Sequence, residues 1–171
     1  AQRVRHGVSR SYQTPQMIKG LSAVDNVVVG ADLFSQFTLR DLFTRPWRVQ
    51  RDNRAARSAA YDALEQTGLL PELWNNQADA LSYGDQRRVE VARSLAQKPS
   101  LLLLDEPAAG LNPTETEELG RDLKRFASEG LTVLLVEHDM PLIMSIADWI
   151  VVVNFGEKLA EGTPAEIQRN K

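Results

Sequence analysis

The fold of this protein is decided by one stretch, PSLLLLDEP at positions 99–107. Its four consecutive leucines, Leu101–Leu104, are too few for a buried helix and are bounded by proline on both sides. Such a run is typical of a strand that is covered on both faces, as in a parallel sheet. Because Asp105 and Glu106 follow directly, the sequence predicts two carboxylates at the carboxyl end of a buried strand.

Downstream of this stretch, short apolar runs alternate with amphipathic segments. Thr114–Ser128 carries one apolar helical stripe, and residues 163–166 (TPAE) have the composition of a helix start. The order strand, helix, strand, helix, strand predicts a doubly wound α/β sheet. The other elements predicted here are strands at Leu131–Val136 and Trp149–Val153, a helix at Met140–Ala147 behind an Asp139 N-cap, and a short segment ending at Gly162.

Upstream of the stretch, the chain is mainly helical. Helices are predicted over Ala55–Gln66 and Ser82–Ala96. Residues 8–12 are compatible with one short strand, and Ala23–Gly30 is ambiguous between strand and helix. The six arginines between positions 40 and 57 leave two interpretations open, an anionic partner or a solvated face.

The predicted domain organisation follows from these elements. A chain of 171 residues has the length of one domain. We expect a single truncated α/β domain over residues 1–171. A helical subdomain would occupy about 20–95, and an α/β core would be formed by about 97–171 together with 1–15.

The composition excludes several classes of protein. With 43% hydrophobic and 25% charged residues it is that of a globular chain, and the net charge of -3 disfavours a general nucleic-acid binder. The absence of cysteine excludes a disulfide framework, a thiolate zinc site and a cysteine nucleophile. No apolar run approaches the ~18 residues of a membrane span, and no apolar leader follows the first residue. We therefore expect a cytosolic, soluble chain without a direct membrane span.

A candidate site lies where two predicted strands end. Asp105 and Glu106 follow the leucine strand, and His138 follows the next strand. Ligands of open parallel sheets bind at these ends. One carboxylate could bind Mg²⁺ while the other polarises a water molecule. The alternative is a solvated turn with a satisfied polar histidine.

A second candidate site is the segment LSYGDQRR at residues 81–88. Ser82 is a plausible N-cap with Asp85 three residues on, so a plain capping box is one interpretation. Gly84 in the first helical turn costs up to ~1 kcal/mol relative to alanine. Its benefit would be the close approach of backbone N–H groups to an anion, and a phosphate is the natural occupant.

Together these segments resemble the ATP-binding cassette (ABC) ATPases. The segment at 81–86 resembles the signature motif of that family, and 101–107 resembles its Walker B strand. Five motifs occur in the order and with the spacing of the family. The other three are the Q-loop at 10–13 (RSYQ), the D-loop at 108–113 (AAGLNP) and the H-loop at 136–139 (VEHD). The D-loop, the H-loop and the arginine-rich insert look most like the ATPases of branched-chain amino acid importers, with urea and amide importers close behind.

The resemblance implies ATP and Mg²⁺ as cofactors. It implies that Gln13 contacts Mg²⁺ or the attacking water, that Asp105 holds Mg²⁺, and that Glu106 is the general base. His138 would contact the γ-phosphate. The cross-subunit contacts to ATP would come from Ser82, Tyr83, Gly84, Asp85, Gln86 and Asn112. Tyr83 stands where glycine is common, a variation that this importer group tolerates. Asn112 stands where many relatives have aspartate, so we expect the cross-subunit contact there to be weaker or differently shaped.

One expected motif is absent from the 171 residues. No G-x-x-x-x-G-K-[ST] loop occurs, because no two glycines are five positions apart. That loop supplies much of the positioning and electrostatic stabilisation in phosphoryl transfer. We therefore expect an α/β P-loop NTPase core without its phosphate loop and antiparallel sheet. The parent protein would be an ATPase, whereas this chain as given would lack activity.

The resemblance also implies partners. The leading hypothesis is an importer subunit that sandwiches ATP in a dimer with a second ATPase subunit and docks on transmembrane permease subunits. Its location would be cytoplasmic, on the inner face of the membrane, with no nucleic acid bound. The alternative is a non-catalytic module that docks a partner through the helical subdomain. An ABC-type ATPase of translation or DNA repair is disfavoured by the single cassette and the acidic pI near 5.5.

Overall fold

The computed structural model of the protein describes residues 7–11, 15–31 and 46–169. Gln13 and the arginines at positions 40 and 45 lie outside these residues. The strands are β1 (Val8–Arg10), β2 (Leu101–Asp105), β3 (Thr132–Val136), β4 (Ile150–Asn154) and β5 (Glu157–Gly162). The helices are α1 (Ala23–Ala31), α2 (Pro46–Gln66), α3 (Tyr83–Leu95), α4 (Pro113–Ser128), α5 (Met140–Ile146) and α6 (Pro164–Arg169).

The leucine stretch forms the middle of a parallel sheet in the order β1-β2-β3. Leu102 pairs with Ser9 on one side and with Val133 on the other. Leu102 and Leu104 are fully buried, whereas the alternate leucines of the strand are half-buried. The α/β fold with a parallel sheet and flanking helices, predicted from this stretch, is therefore confirmed.

Helix α1 settles the ambiguous segment upstream. Valine favours strands, so composition alone does not decide this segment. The side-chain amide of Asn26 donates to the carbonyls of Leu21 and Ser22 and accepts from the N–H of Ile18. Asn26 is fully buried, so these bonds satisfy a group that would otherwise be costly to bury. They tie the turn before α1 to the first turns of the helix.

Helix α2 is longer than predicted. It begins at Pro46 rather than at Ala55, because proline is favoured in the first turn of a helix and the following residues are mostly polar but helix-compatible. Helices α1, α2 and α3 pack against one another, and α3 also packs against β1. One continuous apolar cluster joins these helices to the sheet and to α4, with Val24, Val27, Leu64, Val89, Leu102, Leu104, Leu123 and Phe126 at its centre.

Two predicted helix starts are capped as expected. The Asp139 side chain accepts from the N–H of Leu142 at 2.9 Å, which caps α5. At α6, the Glu166 carboxylate accepts from the N–H of Thr163 at 2.8 Å. Bonds of this kind satisfy N–H groups that have no partner inside the helix.

The prediction that the third downstream strand continues the doubly wound sheet is wrong. Strand β4 pairs antiparallel with β5 in a separate two-stranded sheet, which we call the C-terminal hairpin (residues 150–162). Its turn residues, Phe155 and Gly156, have φ angles of 48° and 83°. Two positive φ angles give the type I′ geometry whose twist matches that of a hairpin, and this turn directs the chain back onto β4.

Within residues 7–11, 15–31 and 46–169, no helix is both long enough and apolar enough to cross a membrane.

Candidate functional site

The carboxyl ends of β2 and β3 lie side by side. The last residue of β2, Asp105, is in register with Val136, the last residue of β3. One further hydrogen bond joins the strands beyond this pair, from the N–H of Glu106 to the carbonyl of Val136 at 2.8 Å. The loop after β2 and the loop after β3 therefore leave the sheet together.

Glu106 has a left-handed backbone conformation, with φ of 46°. For a residue other than glycine this conformation costs about 1–2 kcal/mol. The carbonyl of Glu106 accepts from the N–H of Ala109 at 3.2 Å and from the guanidinium of Arg87 at 3.4 Å. With the bond to Val136, these contacts hold a strained backbone in one conformation at the end of a buried strand.

His138 and Glu106 are brought together by this arrangement. The Nδ1 atom of His138 lies 3.9 Å from Oε1 of Glu106 and 3.9 Å from Oε2 of Glu137. These distances are too long for hydrogen bonds but allow ion pairs when the imidazole is protonated. The His138 side chain is 77% exposed and Glu106 is 31% exposed. Both groups can therefore reach a molecule bound at the edge of the sheet.

Asp105 faces a cation at the same edge. Its carboxylate lies 3.3 Å from the guanidinium of Arg10, at the end of β1. The Arg10 side chain is 54% exposed and that of Asp105 is 37% exposed, so solvent screens this ion pair, which contributes little stability and can open. In the part of the chain that the structure describes, no group of three or more His, Asp or Glu side chains is placed to hold a metal ion.

Glu137 is buried between the two loops, with a side chain that is 1% exposed. Its Oε1 accepts from the N–H of Ala108 at 2.7 Å. Its Oε2 accepts from the N–H of His138 at 3.0 Å and of Asp139 at 3.4 Å. Sequence reasoning assigned no role to this residue. Its position beside His138 was the one available signal.

The start of α3 is a capped helix end. The Ser82 hydroxyl donates to the Asp85 carboxylate at 2.7 Å and accepts from the N–H of Asp85 at 3.2 Å. The Gln86 side chain donates to the carbonyl of Leu81 at 2.9 Å. The predicted N-cap is therefore present, and in this structure the side chains of Ser82 and Asp85 are bonded to each other.

Both glycines near this helix end lie in close contact with a side chain of another segment. A Cβ at Gly84 would overlap the Glu115 carboxylate, and a Cβ at Gly110 would lie 2.9 Å from the Tyr83 ring. Gly110 also has a φ of 81°, which favours glycine. The start of α3 is thus packed against the loop that leads from Glu106 to α4.

Asn112 caps α4. Its side chain accepts from the N–H of Glu115 at 3.0 Å, and the Glu115 carboxylate accepts from the N–H of Asn112 at 2.9 Å. Sequence reasoning missed this capping box, although Asn112, Pro113 and Glu115 stand in its usual positions.

Arg87 links α3 to the loop after β2 from inside the molecule. Arg87 and Glu90 form an ion pair of 2.7 Å, and their side chains are 2% and 1% exposed. Arg87 also donates to the Tyr83 hydroxyl at 3.4 Å and, as described, to the carbonyl of Glu106. Helix α3 is therefore connected by one buried side chain to the backbone of Glu106.

Comparison with protein families and curated proteins gives consistent matches. The family model described as ABC transporter matches residues 1–109. The chain is 46% identical over 169 residues to the high-affinity branched-chain amino acid transport ATP-binding protein BraF of Pseudomonas aeruginosa. It is 42% identical over 173 residues to the LivG protein of Escherichia coli, which has the same description. Each alignment covers 97% of this chain and 65% of the relative, so the chain spans about two thirds of the length of these relatives.

Solved structures share the fold. The cbiO1 protein from Clostridium perfringens, part of the ABC transporter complex cbiONQ, matches with a TM-score of 0.80 at 26% identity. That match covers 99% of this chain and 62% of the cbiO1 chain. A nucleotide-free ATP-binding cassette from an ABC transporter matches with a TM-score of 0.79 at 27% identity, covering 99% of this chain and 66% of its own.

Proposed function

The chain belongs to the ABC transporter family, and from this premise we propose that it forms part of the ATP-hydrolysing subunit of an importer. The proposed solutes are branched-chain amino acids or related small amides. The names of the BraF and LivG relatives support this choice of solute, since both describe branched-chain amino acid transport.

The proposal rests on one observation, which is that the side chains of Glu106 and His138 lie close together at the ends of β2 and β3. Hydrolysis of ATP requires a base that takes a proton from the attacking water. We assign that role to Glu106, whose side chain remains accessible although its backbone is held rigidly. His138 is assigned a contact to the terminal phosphate, for which its exposed ring is suited. Gln13, which lies outside the described residues, is assigned the water or the metal ion.

Asp105 is proposed to bind Mg²⁺. This ion usually keeps several waters and takes one or two carboxylates together with substrate phosphates. A single aspartate at the sheet edge fits that chemistry, and a cluster of protein ligands is not required. Bound there, Mg²⁺ would neutralise negative charge on the phosphates. Arg10 would have to release Asp105, which the exposure of their ion pair permits.

The segment from Ser82 to Gln86, with Asn112, is proposed to contact ATP held by a second ATPase subunit. A helix N-terminus suits an anion, since its N–H groups and dipole favour negative charge. Packing of Tyr83 on Gly110 and of Gly84 on Glu115 supports a fixed placement of this helix end beside Asn112. Ser82 would exchange its bond to Asp85 for the nucleotide.

The remaining expectations are carried as proposals. The helical subdomain over about 20–95 and the α/β core over about 97–171 with 1–15 would move relative to each other during transport, although one apolar cluster joins them. The subunit would act on the cytoplasmic side, docked on transmembrane permease subunits. Residues 1–171 on their own would not hydrolyse ATP, because they contain no G-x-x-x-x-G-K-[ST] loop.

The test is a titration with Mg·ATP of the full natural chain that contains these residues and of residues 1–171 alone. We expect the full chain to hydrolyse ATP and its Glu106→Gln variant to bind ATP with kcat reduced by ~10²–10⁴-fold. Glu129→Gln is the matched control, because Glu129 is exposed at the end of α4. It should leave kcat unchanged.

Three results would contradict parts of this proposal. Saturable binding and hydrolysis by residues 1–171 alone would show that other groups hold the phosphates. Unchanged kcat in Glu106→Gln would remove Glu106 as the base. A full chain that neither binds nor hydrolyses ATP would favour the alternative function, a docking module without catalysis.

A further inference from the structure

A buried carboxylate beside the candidate site has no role in the function proposed above. The side chain of Glu137 is 1% exposed, and a glutamate side chain is almost never fully buried unless it is paired. Burial of a charged group is costly, so its bonding partners show what the burial achieves. All three of its hydrogen-bond partners described above are main-chain N–H groups of the loops that carry Glu106 and His138.

The two oxygens of Glu137 face different loops. Oε1 accepts from Ala108, two residues after Glu106, at 2.7 Å. Oε2 accepts from the N–H groups of His138 and Asp139. The Ala108 contact spans 29 positions of the chain, so a single side chain fastens the loop after β2 to the loop after β3.

We propose that Glu137 is a positioning residue for the hydrolysis proposed above, because its carboxylate sets the distance between the Glu106 loop and the His138 loop. The inference rests on the proposed function for its catalytic consequence. Its structural part, the bridge between the two loops, stands on the geometry alone.

The bridge needs a carboxylate of this length. Both oxygens accept, so the amide of glutamine would turn an N–H₂ group toward main-chain N–H donors on one side. Aspartate keeps two acceptors but is one methylene shorter, so it cannot reach both loops. Either replacement therefore frees one loop from the other while leaving a polar side chain of similar character.

Loss of the bridge should lower the rate of hydrolysis more than the affinity for nucleotide. Misplacement of a catalytic group by about 1 Å can reduce a rate by ~10²-fold. For Glu137→Gln in the full natural chain we expect kcat to fall by ~10-fold or more, with the KM for Mg·ATP changed by less than about 2-fold. Glu137→Asp should lower kcat to a similar extent, because it also frees one loop, and Glu129→Gln should match the wild type.

A second readout does not depend on catalysis. In ¹H–¹⁵N spectra of the wild type, the Ala108, His138 and Asp139 amide protons should be shifted downfield, as expected for bonds to a carboxylate. The Ala108 amide should exchange slowly with solvent. In Glu137→Gln, the signals of Ala108 or of His138 and Asp139 should move upfield and exchange faster, whereas in Glu129→Gln they should not change.

These measurements separate the two proposals. A wild type that hydrolyses ATP, together with an unchanged kcat in Glu137→Gln, would overturn the positioning role. Fast exchange of the Ala108 amide in the wild type would overturn the bridge itself, even if the variants fail to fold. A wild type without ATPase activity but with the expected amide shifts would refute the proposed function while supporting the bridge. An equal loss in kcat and gain in KM would indicate a binding role and would contradict the proposal.

Discussion

Two regions of the molecule use similar local chemistry in opposite environments. The junction between α3 and the loop after β2, which we call the α3–β2 junction, contains the ion pair Arg87–Glu90 and the left-handed residue Glu106. The C-terminal hairpin contains the ion pair Lys158–Glu161 and the left-handed residue Phe155. Both pairs are three residues apart in sequence. The junction pair is almost fully buried, whereas the hairpin pair is about half exposed.

The difference shows that burial, rather than residue type, decides what these features do. In the α3–β2 junction, the buried pair is connected to a neighbouring element, because Arg87 reaches the carbonyl of Glu106. In the C-terminal hairpin, the bonds remain within a few residues, and the Phe155 side chain is fully exposed. We therefore expect changes in the junction to be costly and changes in the hairpin to be tolerated.

The largest expected effect is the loss of the buried ion pair. Glu90→Ala would leave the Arg87 guanidinium buried without its carboxylate, and removal of one partner of a buried pair destabilises by about 3–5 kcal/mol. Glu161→Ala is the matched variant in the hairpin, where an exposed pair contributes about 0–1 kcal/mol. Urea unfolding of the wild type, Glu90→Ala and Glu161→Ala measures the loss of stability in each variant. If the two variants lose equal stability, burial does not distinguish the pairs.

A smaller effect is expected at the hairpin turn. Phe155 has a φ of 48°, which is strained for an aromatic residue, and its ring buries no surface. Phe155→Asn would create the Asn-Gly pair preferred in type I′ turns and should raise the free energy of unfolding by about 0.5–1 kcal/mol. Thermal unfolding would show a higher Tm. A lower Tm would mean that the phenylalanine ring is covered in the working protein.

The smallest expected effects on stability come from two carboxyl groups whose pKa values are shifted in opposite directions. Asp122 lines a cavity of about 30 Å³ with Gly84 and Arg87, and burial raises its pKa, although nearby Arg125 acts against this. The N–H of Thr163 lowers the pKa of Glu166 at the start of α6, beside the hairpin. Carboxyl ¹³C shifts measured in an acid titration should place Asp122 above and Glu166 below the usual range near pH 4.

The two shifts have opposite consequences for stability. The raised pKa of Asp122 stabilises the fold below the pKa of the unfolded state, and this contribution is lost as the pH rises through the folded value. The lowered pKa of Glu166 stabilises the fold above the pKa of the unfolded state, and this contribution is lost as the pH falls through the folded value. Asp122→Asn and Glu166→Gln should each abolish one of these dependences. Parallel pH profiles for both variants and the wild type would contradict the assignment.

The local features of the fold could be predicted from the sequence. The run Leu101–Leu104 indicated a buried strand, the apolar stripe of 114–128 indicated a helix, and Ser82 and Asp139 were identified as N-caps. Each of these signals depends on residues within a few positions of one another, so it can be recognised in the sequence alone. The fold class and the membership of the ABC transporter family followed from motifs of this kind.

Pairings between distant segments could not be predicted in the same way. The Val-rich segment of α1 suits a strand as well as a helix, and the bonds of Asn26 accompany the helical outcome. Strand β4 has the composition of a sheet strand, but its partner depends on the turn at Phe155, whose aromatic residue does not indicate a type I′ turn. Asn112 was expected at an interface between subunits, and sequence reasoning missed its role as the cap of α4 although that role is local.

The sequence by itself determined which chemical groups end the strands β2 and β3. Their positions directly after two consecutive predicted parallel strands were enough to place Asp105, Glu106 and His138 at one edge of a sheet. The tertiary structure decided how these groups are held. Glu137 and Arg87 reach the Glu106 loop from 29 and 19 positions away, and both are buried there. Contacts at such separations depend on packing of the whole core, because only the closed core removes these charges from water and brings their partners within bonding distance.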